Sequence, residues 1–150
     1  MALALPAWLR DWASHEQGTL VLRDDPPAAW FLGDYFALLR GIGTPELMAV
    51  QMRHLSAVAA MPNVTIQIVP GCAHAGFMGG FTVTDKAAYA ESVMRGQVFE
   101  DTQSVTALSL RYDALRGSAV SAPESTSLLR QAADLWSGAR RLTAWGTGTA

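Results

Sequence analysis

The densest group of chemically capable residues is the run Gly71-Cys72-Ala73-His74-Ala75-Gly76-Phe77-Met78-Gly79-Gly80. It sets a thiol and an imidazole two residues apart among four glycines, which let a backbone approach a ligand closely. An imidazole can hold a thiol as thiolate, so nucleophilic catalysis is one reading of Cys72 and His74. A buried cysteine beside a surface histidine is the other, because catalytic partners usually converge from distant positions. Tyr89 and Glu91 share one face of a predicted strand. Turned inward, Glu91 is a candidate general acid or base; turned outward, it is an ordinary solvated carboxylate. Asp34 and Tyr35, at the end of another predicted strand, form a similar pair. The catalytic candidates are therefore Glu91, Asp34, Tyr35 and His74. Trp30, Phe77, Phe81 and Tyr89 are candidate walls for a planar or apolar ligand, although core packing would use the same side chains.

Other chemistries lack their residues. Cys72 with His15, His54 and His74 forms no recognised ligand spacing, so no metal is expected. The glycines match neither the phosphate-cradling loop nor the dinucleotide fingerprint, so no cofactor is expected. With 11 basic against 13 acidic side chains and a net charge of −2, the chain lacks the cationic excess of a nucleic-acid binder. A single cysteine cannot form an internal bridge, which favours an intracellular, cytoplasmic setting. The apolar start, residues 1–9, runs at once into Arg10 and Asp11 without a signal-peptide pattern, and no later stretch is long enough to span a membrane.

The elements that must hold these residues can be read from pattern. At 150 residues, 50% of them apolar and 16% charged, the chain can close a core without disulfides or metal. Leu5, Trp8, Leu9 and Trp12 follow helical spacing over residues 6–17, with Gly18 as a stop. After Asp24 to Pro27 come a strand at residues 28–32 and one or two helical turns over residues 34–40. Thr44-Pro45-Glu46 is a helix start, and the helix it opens carries Met48, Met52, Leu55 and Ala59 on one stripe. Val64 to Val69 alternates β-branched residues and is closed by Pro70, a strand on which that helix can lie. A hairpin is expected from strands at 81–84 and 87–93 around the turn Asp85-Lys86, with a further strand at 97–99. Val105, Leu108, Tyr112 and Leu115 mark an amphipathic helix, and Leu128, Leu129, Ala132, Leu135 and Trp136 the inner face of the last one. The expected class is α+β: a small antiparallel sheet with amphipathic helices packed against it, one domain over residues 1–138 and a flexible tail over 139–150.

At Pro62-Asn63-Val64-Thr65-Ile66-Gln67-Ile68-Val69-Pro70 the chain resembles a domain of unknown function found in many actinomycete regulators, directly after an XRE-type helix-turn-helix. The resemblance continues through His74-Ala75-Gly76, Gly79-Gly80-Phe81-Thr82-Val83, Tyr89-Ala90-Glu91, the helix from Asp101 to Leu115 and Pro123-Glu124-Ser125. Upstream it takes in Asp24 to Pro27, Asp34, Leu38, Arg40, Gly43, Met48 and Gln51, and it covers roughly residues 15–137. Tyr35 stands where the family usually has a glutamate. The resemblance implies the C-terminal half of a sensor-like domain, here without its DNA-binding part.

Three functions are therefore expected. The first is a stand-alone small-molecule-binding module, with no direct nucleic-acid or membrane partner. The second is a cofactor-independent enzyme of natural-product, or secondary, metabolism on the same scaffold, a cyclase, isomerase or dehydratase, using shape, aromatic walls and one or two acid/base groups. The third is a dimerisation module, a homodimer formed through an apolar patch on the methionine-rich helix with Trp145.

Overall fold

In a computed structural model of the chain, which describes residues 27–71, 79–91 and 95–138, the architecture is organised around the run VTIQIV. This is β2 (Val64–Val69), with Val64, Ile66 and Ile68 buried on one face. Stiff β-branched side chains favour the extended backbone, and the prolines on either side confine it. β2 pairs in parallel with β1 (Ala29–Asp34), in register from Ala29 opposite Val64 to Asp34 opposite Val69.

Parallel neighbours need a crossover, and two helices supply it. β1 runs directly into α1 (Tyr35–Leu39), and Thr44 then caps α2 (Pro45–Val58) by accepting from the Leu47 N–H at 3.3 Å. Pro45 lacks an N–H that this first turn would leave unpaired anyway, and Glu46 faces the positive helix end. Met48 and Met52 on α2 meet Ile66 and Ile68 of β2 and Leu129, Ala132 and Ala133 of α4 (Ala122–Gly138) in the main core. Leu129 is fully enclosed, and burying such a side chain stabilises by about 1.5–3 kcal/mol.

The free edge of β2 is closed by the connector between α3 (Thr102–Ser118) and α4. The Val120 N–H donates to the Ile68 carbonyl at 2.9 Å, and the Ile68 N–H donates to Ser125 Oγ at 2.9 Å. Gln67 Nε2 adds a bond to the Val120 carbonyl at 2.8 Å. A two-stranded sheet would otherwise present an unpaired row of backbone groups. Among the described residues no buried side-chain polar atom lacks a partner.

The second sheet is antiparallel, in the order β3 (Phe81–Val83), β4 (Ala88–Glu91), β5 (Gly96–Phe99). α3 contacts β2, β3 and β4, so it joins the two sheets. The class is α+β, as expected. The expected antiparallel sheet is present, but β1 and β2 stand apart from it as a parallel pair, because their crossover returns the chain to the same end. Leu135, expected on the inner face of α4, is 56% exposed, whereas Trp136 turns inward and donates its indole N–H to the Leu38 carbonyl at 2.8 Å. At about 100° per residue Trp136 falls roughly 20° from Leu129 around the helix, within the face shared with Ala132 and Ala133, whereas Leu135 falls roughly 120° from it. The predicted helix over 6–17, most of the glycine-rich run and the tail over 139–150 lie outside the described residues.

Candidate functional site

Trp30 points away from the main core, on the β1–β2 face that α3 covers. Its indole N–H donates to Gln67 Oε1 at 2.8 Å, and the Arg116 guanidinium lies 4.5 Å from its ring centroid. Its backbone carbonyl accepts from the Tyr112 hydroxyl at 3.3 Å. Burial raises the Tyr112 pKa above its ordinary 10.0, with Asp113 adding to the shift and Arg116 opposing it. Phe81 opens β3 half-buried, with the Arg111 guanidinium 5.7 Å from its ring centroid. Trp30 and Phe81 thus each meet an arginine of α3, one in each sheet.

The other candidates lie elsewhere. Asp34 ends β1 and caps α1, its carboxylate accepting the Phe36 N–H at 2.7 Å. Tyr35 packs against the main core, edge-on to Phe36 at 6.0 Å between centroids. Tyr89 and Glu91 do share a face of β4, and it is the outward one: both are exposed, while Ala88 between the sheet and α3 is buried. The Tyr89 ring lies across Gly96 on β5, where a side chain would overlap its hydroxyl. His74 and Phe77 fall outside the described residues. The structure therefore brings Trp30 and Phe81 to α3 and leaves Asp34, Tyr35, Tyr89 and Glu91 in separate surroundings.

A concave surface forms on the flank of α3 instead. It is an open groove of about 360 Å³ between that helix and the β3–β4 turn. Thr84, Asp85 and Lys86 of the turn form one wall, and Glu100, just before α3, stands at one end. Thr102, Thr106, Ser109 and Asp113 supply a polar stripe on the helix, with half-buried Val105 and exposed Leu110 as its apolar members. The turn is held by Thr84, whose hydroxyl donates to the Ala87 carbonyl at 2.9 Å and accepts from the Ala87 N–H at 3.0 Å. The helix start is held by Asp101, which accepts the Ser104 N–H at 2.8 Å. That backbone bond, followed by the Ser104 side chain, lowers the Asp101 pKa below 3.8.

Carboxylates, hydroxyls and one ammonium around two aliphatic side chains make a surface for hydrogen bonding and charge pairing. It offers no nucleophile held by a base, and among the described residues no group of His, Cys, Asp and Glu side chains could hold a metal ion. No described helix is long and apolar enough to cross a membrane. Sequence reasoning missed these groove residues. Their signal was present, since Thr102, Thr106, Ser109 and Asp113 recur at helical spacing, but a solvated helix face has the same pattern.

A family model described as a domain of unknown function, DUF5753, matches residues 10–131. Neither a curated protein nor a solved structure matches the chain.

Proposed function

Starting from the chain's membership of the DUF5753 family, we propose that it is a small-molecule-binding, sensor-like module whose ligand sits in the groove between α3 and the β3–β4 turn. The groove is the observation that carries this reading: about 360 Å³ lies at the lower end of the range that ligand sites occupy. With Asp85, Glu100 and Asp113 against one Lys86, it favours a polar ligand bearing an amine, with hydroxyls for Thr102, Thr106 and Ser109 to meet. The resemblance of residues 62–70 and the following hairpin to the domain behind actinomycete helix-turn-helix regulators supports a sensory rather than a catalytic role. So does the dispersal of the acid–base candidates: Asp34 is engaged as a helix cap and Glu91 stands on an outer sheet face, neither of them in the groove.

Thermal unfolding against a panel of polar amines and fractions of natural-product extract tests the proposal. A ligand at a hundred times its Kd adds about 2.7 kcal/mol, which raises the Tm of a chain this size by roughly 5–10 °C. Ser109→Trp, which fills the groove from a half-buried position on α3, is expected to abolish that rise. A rise that persists in Ser109→Trp moves the site elsewhere, and no rise with any compound or fraction removes the ligand-binding reading.

A further inference from the structure

Phe36 and Leu39 of α1, Ile42 of the connector and Leu47 and Val50 of α2 are large apolar side chains left between 40 and 58% exposed. They follow one another along a single stretch of chain, whereas apolar residues scattered singly over a surface need no explanation. Two of them lie over glycines: Leu47 against Gly43 and Phe36 against Gly71, in positions where a Cβ would come within 2.7 Å of each. The five make an apolar strip along α1, the connector and the start of α2, beside the core residues Leu38 and Met48.

We propose that this strip is the seat of the chain's own N-terminal segment, residues 5–12, with Leu5, Trp8, Leu9 and Trp12 as the contacting side chains. Those four are spaced for one face of a helix, and the strip is an apolar face for it to meet. The tether reaches. Ala29 is bonded to the Asn63 carbonyl at 2.8 Å, so the chain enters β1 at a fixed point beside the start of β2. From there the strip begins one strand length away, roughly 20 Å. Residues 18–26 can span about 30 Å when extended, and a helix over residues 6–17 is about 18 Å long. The family match starts at residue 10, so Trp12 and the strip fall within one matched span. A second copy of the chain is the rival occupant.

Leu47→Glu in the full chain separates the possibilities. Leu47 is the third helical residue after Thr44, so glutamate there completes a capping box and sits at the positive helix end. On a bare surface the variant is neutral or more stable. Under a docked segment it lowers the Tm by several degrees, Trp8→Glu does the same, and the double variant loses less than the sum. Hydrogen exchange is the second measurement: amides of residues 6–17 exchange slowly in the unaltered chain and fast in Val50→Glu. A neutral or stabilising Leu47→Glu, or free-peptide exchange over residues 6–17, overturns the proposal. So does a Tm that depends on concentration together with a dimer in sedimentation that Leu47→Glu dissociates, which would assign the strip to a second copy.

Discussion

Ser125→Ala removes the side chain that joins the last helix to the edge of β2. Ser125 is fully buried, accepts the Ile68 N–H at 2.9 Å and donates to the Ser121 carbonyl at 2.9 Å. The second bond is replaceable, because the Ser125 backbone N–H already reaches the Ser121 carbonyl at 2.8 Å. The first is not, since alanine leaves the Ile68 amide buried without an acceptor, at a cost of roughly 1–3 kcal/mol. The better helix propensity of alanine returns a few tenths of a kcal/mol. The net loss of about 1–2.5 kcal/mol corresponds to a Tm lower by roughly 2–10 °C for a chain of this length. Urea unfolding followed by circular dichroism measures the loss, and native-state exchange of the Ile68 amide locates it. The control is Ser127→Ala on the exposed side of the same helix, whose hydroxyl bonds the Pro123 carbonyl at 3.2 Å and whose removal is expected to stay within about 0.5 kcal/mol. If Ser125→Ala costs no more than Ser127→Ala, or Ile68 exchanges at an unchanged rate, the edge-closing role of Ser125 is wrong.

Three further outcomes are expected. Because the folded chain lowers the Asp101 pKa below 3.8, the stability this carboxylate adds is complete above that value and disappears as pH falls through the lower folded one. Asp101→Asn, which still caps α3, should flatten the acid limb of a stability–pH curve below about pH 3.8, and an unaltered limb would contradict the assignment. A double-mutant cycle on Arg116→Ala and Trp30→Leu should return a coupling of about 0.5–1 kcal/mol from the guanidinium 4.5 Å over the indole; zero coupling would make the contact incidental. Gly96→Val displaces the Tyr89 ring from its place across the strand, but because that ring is exposed and can turn into solvent the cost should stay within about 1 kcal/mol and vanish in a Tyr89→Ala background; equal costs in both backgrounds would refute the steric account.

Local pattern carried much of this fold. The strand at residues 64–69 lies where the β-branched run and its flanking prolines put it, and the helix after Thr44-Pro45-Glu46 begins at the predicted cap. The hairpin turn at Asp85-Lys86 and the helix after Asp101 also appear in place. Each rests on interactions within a few residues, such as caps, fixed φ values and side-chain stiffness, which a sequence displays directly. The candidate site was far less legible. Trp30 and Phe81 were picked out as aromatic, but that each would lie under an arginine of one helix depends on where α3 crosses two sheets.

What the sequence determined by itself was therefore the set of elements and their apolar faces, together with a resemblance reaching across most of the chain. Tertiary structure decided that β1 pairs with β2 in parallel, that Tyr89 and Glu91 face outward, and that the groove joins residues 84–86 to a helix beginning at Thr102. Strand partner, strand face and concavity arise from contacts between segments distant along the chain. They follow from which packing buries the most apolar surface while leaving no buried backbone group unpaired, a property of the whole chain rather than of any window in it.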